Sequence, residues 1–491
     1  MRLSAFALSV ALLVSSALGD APKFFSGYFL QLWIGYGVTN GVMFADQAYY
    51  DRWLKGLADV GAEFVIVQST ITRDNQNWVL PPGDSVVDAD YAWYQPKGDS
   101  VIMGIHQRSY MANLDYAGAP KQGGKQPVDY ILEAAKNNGM KVYLGLYLDA
   151  QETSETDWWS VMDYNLLDTV TYSGKIDYAS SYWRRARNAY EYHKLRSVQV
   201  LNELCDLYGD HEALAGFYFV PEIAYTQAMI QDSSKHYVID MIRPVVEAAH
   251  ACGEKFTLAI SPYVGSMLPY PRENPSPEGY GDWWEDVLSA TGIDLMYLQD
   301  GIGANPDSLT EEYDAISGYE REIKRACDNS GTTTCWGNVE IYHGTGPQMT
   351  PSTLEKVRLQ MDAFAPYAEK LVAFSYHYID TMQAASLEMD SAAVARFYAD
   401  YRDYYRRNFA SVGRELGPVA SRLPGGALAG DLFRIPGGEA RWELRDAAGR
   451  VMGSGRGSEV RMPEATGFYA LHLERPSGAH DMALWRVPGG E

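Results

Sequence analysis

Eight short apolar segments, each followed by a helical stretch, set the strongest limit on how this chain can fold. They lie at 25–33, 63–68, 141–149, 215–222, 255–263, 293–299, 336–342 and 371–378. Such continuous apolar runs are typical of strands buried on both faces, as in a parallel sheet. Eight of them in series with helices between predict an α/β fold, a (β/α)8 TIM barrel over residues 20–410.

The sequence changes character after a helix predicted at 391–409. Residues 411–428 are predicted as a linker, and 429–491 contain short alternating runs separated by Gly-rich turns such as Asp446-Ala-Ala-Gly449. This pattern predicts a small antiparallel β-sandwich at the C-terminus. The stretch Gly467-Phe-Tyr-Ala-Leu-His-Leu473 resembles the last strands of Ig-like or bacterial sorting modules.

The N-terminus and the charge balance limit the compartment and the partners. Residues 1–19 combine one basic residue, a short apolar run and small residues, which predicts a cleaved signal peptide rather than a membrane span. We therefore expect a secreted or periplasmic protein without a membrane span, and a monomer. A net charge of −22 argues against nucleic acid as a partner.

The four cysteines predict two disulfides, because an even number in an exported chain favours pairing. Cys327 and Cys335 flank a turn-forming stretch, so we expect them to pair. That leaves Cys205 with Cys252, each at the end of a predicted helix. Their spacing fits no zinc site, and we expect no metal.

Polar and aromatic residues stand at the carboxyl ends of nearly all the predicted strands, where TIM barrels carry their chemistry. They are Gln31, Trp33, Gln68, Tyr147, Asp149, Glu222, Ser261, Tyr263, Gln299, Asp300, Asn338, Glu340, Tyr376 and His377. Single members have simpler explanations, since Gln68 could cap a loop and His377 could be a core imidazole. A Pro-rich loop at 269–279 leads to Trp283 and predicts a wall of the cleft. Aromatic residues make up 13% of the chain, which suits sugar rings but also suits a large core.

Two carboxylates carry the main functional prediction. Glu222 follows Pro221 at the end of the fourth strand, and Glu340 lies on the seventh strand, across the barrel. Glycoside hydrolysis needs one protonated and one ionised carboxyl group facing one point. We predict Glu340 as the nucleophile of a retaining mechanism and Glu222 as the acid and base. Asn338 and Tyr342 alternate with Glu340 and are expected to orient it. The structural alternatives are a solvated Glu222 and a Glu340 paired with a buried Arg or Lys.

Four motifs resemble the DUF4434 family. They are Phe64-Val-Ile-Val-Gln68, Gly216-Phe-Tyr-Phe-Val-Pro-Glu222, Asp294-Leu-Met-Tyr-Leu-Gln-Asp-Gly-Ile-Gly303 and Trp336-Gly-Asn-Val-Glu340. The resemblance covers most of the first 400 residues and implies a glycoside-hydrolase-like barrel. Its order of acids is similar to glycoside hydrolase clan A, whose members usually carry Asn where this chain has Pro221. It implies that Gln299 and Asp300 line the floor or bind a sugar hydroxyl, with a catalytic acid as the alternative for Asp300.

Two other functions compete with hydrolysis of a polysaccharide or oligosaccharide. The first alternative is a barrel that binds glycans without cleaving them. The second, metal-dependent hydrolysis or deacetylation, is weaker because the nine histidines are scattered. No Gly-rich phosphate loop follows the first strand, so we expect no nucleotide cofactor.

Overall fold

A computed structural model describes most of the predicted barrel and parts of the C-terminal region. The described residues are 23–30, 47–74, 89–92, 125, 127–149, 181–225, 232–264, 276–303, 310–344, 350–375, 390–409, 432–434, 440–446, 451–457, 459–461, 467–475 and 478–486. The predicted signal peptide and linker lie outside them. The chain divides into two compact units, Met1–Tyr401 and Arg402–Glu491.

The first unit is a closed ring of eight parallel strands, which confirms the predicted barrel. The ring strands are β1 (Phe25–Leu30), β2 (Phe64–Val67), β3 (Lys141–Gly145), β4 (Leu214–Phe219), β5 (Thr257–Ile260), β6 (Leu295–Gln299), β7 (Thr334–Glu340) and β8 (Leu371–Phe374). Neighbours along the chain pair in parallel, and β8 pairs with β1 to close the ring. The apolar runs behave as expected, since every residue of β1, β2 and β6 is buried.

One helix follows each ring strand in the described part of the chain. These are α1 (Gln47–Ala58), α2 (Pro127–Asn137), α3 (Ser181–Tyr208), α4 (Asp232–Cys252), α5 (Pro277–Thr291), α6 (Thr310–Ser330), α7 (Leu354–Phe364) and α8 (Ser391–Asn408). Local chemistry sets their limits. Ser276 caps the start of α5 by accepting from the Gly279 backbone N–H, and Gly292 ends that helix with a left-handed φ of 71°.

Aromatic side chains from different walls fill the inside of the barrel. The ring of Phe29 on β1 lies 5.2 Å from that of Tyr218 on β4, and Tyr297 on β6 stacks on Trp336 of β7 at 5.2 Å. At about 25 cal/mol per Å², burying one such ring contributes roughly 4–6 kcal/mol before the cost in conformational entropy. The interior is therefore a packed core, and room for a ligand lies at the carboxyl ends of the strands, here called the mouth.

Short strands surround this mouth. Each follows a ring strand within a few residues: Ile71–Asp74 after β2, Tyr147–Asp149 after β3, Ala224–Tyr225 after β4, Tyr263–Val264 after β5 and Tyr342–His343 after β7. Ile71–Asp74 pairs with Tyr147–Asp149, and Ala224–Tyr225 pairs with Tyr263–Val264. These pairings connect the backbone segments that follow neighbouring ring strands, where the predicted site residues lie.

The second unit contains two small antiparallel sheets among its described residues. One sheet has four strands, Ala440–Asp446, Val451–Gly457, Gly467–Arg475 and Gly478–Arg486. The other pairs Leu432–Arg434 with Glu459–Arg461. The predicted hairpin around Asp446-Ala-Ala-Gly449 agrees with the antiparallel pairing of the two strands that flank it.

The cysteines differ from the prediction in one of the two pairs. Cys205 and Cys252 form a disulfide that joins the ends of α3 and α4, as expected. Cys327 and Cys335 are instead free, buried thiols, so the second predicted disulfide is wrong. The thiol of Cys335 donates a hydrogen bond to the Glu320 carboxyl group (Sγ to Oε1, 3.2 Å).

Not one of the described helices combines the length and the apolar character that crossing a bilayer demands.

Candidate active site

Glu340 is the last residue of β7 and is 6% exposed. Successive side chains of a strand point to opposite faces, so Glu340 shares a face with Asn338 and Trp336. Trp336 stacks on Tyr297 inside the barrel, whereas its neighbour Cys335 contacts helix α6 outside. Glu340 therefore lies on the inner face of β7, at the mouth.

A tight turn after β6 supports Glu340 from the neighbouring strand. Asp300 follows the last residue of β6, and its Oδ1 accepts from the backbone N–H of Ile302 at 3.2 Å. The same oxygen accepts from the backbone N–H of Glu340, also at 3.2 Å. Gly301 permits the turn with a left-handed φ of 59°. The side chain of Asp300 thus supplies the Glu340 N–H with the acceptor that a β6 backbone carbonyl would otherwise provide.

Gly303 allows the same turn to pack directly against the Glu340 side chain. A Cβ atom built on Gly303 would lie 2.7 Å from the Cβ of Glu340 and 2.8 Å from the carbonyl oxygen of Tyr342. Both distances are far below van der Waals contact, so only glycine fits. The Gln-Asp-Gly-Ile-Gly motif at 299–303 therefore forms a surface against which the Glu340 side chain packs.

Hydrogen bonds link the wall that carries Glu340 to the neighbouring walls of the barrel. The Asn338 side-chain amide donates to Ser261 Oγ at 3.0 Å, and Ser261 Oγ donates to the Tyr297 carbonyl at 2.9 Å. Ser261 follows β5 directly, so strands β5, β6 and β7 are connected near the mouth.

Glu222 lies three residues beyond the last residue of β4 and is half-buried. The negative charge of Glu222 acts on the buried phenol of Tyr218. The pKa of Tyr218 is raised well above its usual value, first by burial and then by the charge of Glu222. Glu222 therefore lies within electrostatic range of a side chain inside the barrel.

Asp300 and Glu340 interact electrostatically. Burial raises the pKa of the fully buried Asp300 well above its ordinary value, and the charge of Glu340 raises it further. Hydrogen bonds from Glu340, Gln360 and Ile302 oppose that rise.

Gln360 was missed by sequence reasoning although it contacts both members of this pair. It lies on α7, 1% exposed, and its Nε2 donates to Asp300 Oδ2 at 2.7 Å and to the Glu340 carbonyl at 2.9 Å. A glutamine inside an amphipathic helix is ordinarily solvated. The one available signal was its position beside the apolar residues Val357, Met361 and Phe364, on the buried face of α7.

Other predicted residues lie near the mouth with varied exposure. Gln299 is buried and donates to the Ser261 carbonyl at 2.7 Å. Gln68 is half-buried directly after β2, and Tyr342 is 7% exposed, with its ring 6.3 Å from that of Phe374. Tyr147 is fully buried and bonds the Tyr192 hydroxyl at 3.0 Å. Sugar contacts by these side chains stay predictions.

Trp283 is placed differently from the predicted cleft wall. It lies within α5, is 3% exposed, and packs edge-on against Trp284 with ring centroids 4.9 Å apart. This burial does not favour contact with a sugar. Asp149 and Tyr263 have described backbones in short strands at the mouth, without described side chains. Gln31, Trp33, Tyr376 and His377 lie outside the described residues.

The described part of the chain brings together no group of three or more His, Cys, Asp or Glu side chains able to hold a metal ion.

Comparison with known families agrees with the fold and with the motifs. A family profile described as "Domain of unknown function (DUF4434)" matches residues 26–386, more than half of the chain, and confirms the resemblance seen in the sequence. No curated protein matches the sequence.

Solved structures provide a likeness in fold. A candidate alpha-L-fucosidase from Bacteroides thetaiotaomicron is 18% identical, with 80% of this chain and 94% of that chain covered and a TM-score of 0.50. A calcium-binding mutant of beta-glucuronidase 2 from Bacteroides uniformis is 11% identical (95% and 46% covered, TM-score 0.39), so this chain spans about half its length. An endo-beta-1,4-mannanase from Cellulomonas fimi is 14% identical (75% and 84% covered, TM-score 0.30). At such identities the first likeness supports the barrel fold alone.

Proposed function

The chain belongs to the DUF4434 family, and on this premise we propose that it is a secreted glycoside hydrolase. It cleaves O-glycosidic bonds of a polysaccharide or oligosaccharide with retention of configuration. Glu340 is the nucleophile and Glu222 is the general acid and base. One observation carries the proposal: two glutamates stand at the carboxyl ends of β4 and β7 in one closed barrel of eight parallel strands.

The proposed reaction has two steps. In the first, the Glu340 carboxylate attacks the anomeric carbon while Glu222 donates its proton to the departing oxygen, and the glycosidic bond breaks. In the second, Glu222 takes a proton from water, which attacks the anomeric carbon and releases Glu340. Retention requires the two carboxyl groups to be about 5–5.5 Å apart around the bound sugar.

The local environment of Glu340 suits a nucleophile. A nucleophile must be held within a narrow range of positions, and Glu340 is fixed by the strand, by the Asp300 side chain and by the close approach of Gly303. Glu222 is more exposed, which suits a group that must exchange protons with a leaving group and then with water.

The remaining parts of the proposal concern export and the second unit. We propose that residues 1–19 direct secretion, which is compatible with the Cys205–Cys252 disulfide. We also propose that 429–491 fold as a β-sandwich, supported by the two antiparallel sheets there. If the export proposal is wrong, the protein stays in the cell fraction, and peptide mapping there shows residues 1–19 still attached.

The central experiment is hydrolysis of a broad glycan panel by the purified protein, with the anomer of the first product identified by NMR. Retained configuration is expected. Glu340→Gln should abolish hydrolysis while glycan binding persists, and Glu320→Gln, which changes a buried glutamate outside the ring, is the matched control. A wild-type protein that binds glycans but releases no sugar would favour the non-catalytic alternative.

Glu222→Gln separates the two roles. Without its acid, the enzyme should lose about 10³-fold in rate on glycosides with poor leaving groups. Aryl glycosides with acidic phenols need no proton and should still form the glycosyl-enzyme at nearly the original rate. Equal losses on both substrate types would contradict the assignment of Glu222 as the acid.

A further inference from the structure

The end of β7 depends on two side chains outside that strand. Where β6 turns away after Gln299, the backbone N–H of Glu340 has a side-chain acceptor in place of a β6 carbonyl, the Oδ1 of Asp300 at 3.2 Å. A buried backbone N–H without an acceptor costs about 1–3 kcal/mol, so Asp300 is required for the strand to end at Glu340 in this position.

Gln360 completes the support from the helix side. Its single Nε2 group serves two acceptors, Asp300 Oδ2 at 2.7 Å and the carbonyl of Glu340 at 2.9 Å. An amide nitrogen has two hydrogens, and both are used. Glu340 is therefore held at its backbone N–H by Asp300 and at its backbone carbonyl by Gln360. The side chains of Asp300 and Gln360 are also hydrogen-bonded to each other.

We propose that Asp300 and Gln360 are positioning residues that fix the backbone of Glu340 for nucleophilic attack, an inference that rests on the proposed function. Neither is a catalytic residue. Both are buried almost completely, and both oxygens of Asp300 are engaged by donors from the protein. Asp300 acts on the reaction through Glu340 rather than through a sugar hydroxyl.

The arrangement also distinguishes these residues from ordinary core polar groups. The loop that Asp300 opens carries Gly303, which packs against the Glu340 side chain. The Gly303 carbonyl in turn accepts from the backbone N–H of Gly344, beyond the end of β7. A shift of Asp300 or Gln360 would therefore move both the backbone and the packing surface of the nucleophile.

Two variants test the proposal with one matched control. Asp300→Asn places an amide where three donors converge, and Gln360→Met keeps the length of the side chain but removes both donated bonds. Val357→Ala is the control, because Val357 is fully buried on the same helix and has no hydrogen-bonding side-chain atom. It loosens the packing of α7 without removing a bond to Glu340.

The first readout is independent of catalysis. Hydrogen–deuterium exchange, followed by mass spectrometry on overlapping peptides that isolate 338–342, reports the protection of the Glu340 amide. We expect exchange there to speed up at least 10-fold in Asp300→Asn and Gln360→Met but not in Val357→Ala. Unchanged protection in both variants would overturn the proposal whether or not the wild type proves to be a hydrolase.

The second readout is kinetic. On a substrate that the wild type hydrolyses, both variants should lose about 100-fold in kcat, the effect of a misplacement of about 1 Å, with KM within about threefold. Equal losses in Val357→Ala would reduce the effect to general destabilisation and contradict positioning. If the wild type hydrolyses nothing, the proposed function fails, and the exchange experiment alone decides whether these residues hold Glu340.

Discussion

A fully buried acidic residue from another element lies at each end of β7. The two residues differ in the number of hydrogen bonds that they receive. At the carboxyl end, Asp300 receives hydrogen bonds from Ile302, Glu340 and Gln360. At the amino end, Glu320 of α6 receives one bond, from the Cys335 thiol, and its Oε2 has no hydrogen-bond partner.

This difference distinguishes an acidic residue that several hydrogen bonds hold in place, Asp300, from one that is only buried, Glu320. Burial raises the pKa of Asp300 and of Glu320 alike, and that of Glu320 rises to about 8. A raised pKa therefore does not identify the functional end of the strand. What distinguishes the carboxyl end is the convergence of donors on Asp300 and the second carboxylate beside it, in the half of the barrel where chemistry is found.

The largest expected effect concerns Glu320 and pH. The folded protein keeps a proton on Glu320 up to about pH 8, whereas the unfolded chain loses it near pH 4.5. The free energy of unfolding should therefore fall as pH rises between these values and level off above pH 8. Glu320→Gln removes the contribution of this residue, so the difference in stability between pH 5 and pH 8 should shrink by roughly 3 kcal/mol.

Urea unfolding at pH 5, 6.5 and 8, followed by tryptophan fluorescence, measures this change. The activity of the folded Glu320→Gln variant should equal that of the wild type, because Glu320 lies outside the ring. A loss of kcat in this variant, or an unchanged pH dependence of stability, would contradict the proposed difference between the two ends of β7.

The next effect is at the carboxyl end. Gly303→Ala introduces a methyl group 2.7 Å from the Cβ of Glu340 and 2.8 Å from a backbone oxygen, so Glu340 must move. We expect a loss of about 100-fold in kcat, as for a misplacement near 1 Å. Gly279→Ala is the control, since a Cβ there meets its nearest atom at 3.5 Å. Comparable steady-state rates for the two variants would show that Glu340 does not rest on Gly303.

The smallest effect is at the Cys335 thiol. Cys335→Ala removes the hydrogen-bond donor to Glu320 and should lower the free energy of unfolding by about 1 kcal/mol, since a thiol is a weak donor. Differential scanning calorimetry measures the loss, and kcat and KM should stay at wild-type values. Cys327→Ala, at the other buried thiol, is measured beside it, because Cys327 interacts with Cys335. A kinetic defect in Cys335→Ala alone would show that the amino end of β7 also affects the site.

Sequence reasoning succeeded for the features that a single segment of the chain determines. The apolar runs predicted all eight ring strands because burial on both faces leaves a local mark, a short segment without polar residues. Polar residues at the ends of those runs, such as Gln299, Asn338 and Glu340, also mark the mouth by position alone. The predicted disulfide at Cys327 and Cys335 failed because proximity in sequence says nothing about a third group, Glu320, that binds the thiol.

By itself the sequence determined the barrel, the location of its mouth and the residue types gathered there, since these follow from periodicity and strand order. Only the tertiary structure decided which of those residues hold Glu340. Gln360 reaches Asp300 across 60 positions of sequence, and Asn338 reaches Ser261 across 77. Hydrogen bonds at such separations depend on strand register, ring closure and helix packing together, and no local pattern encodes the combination.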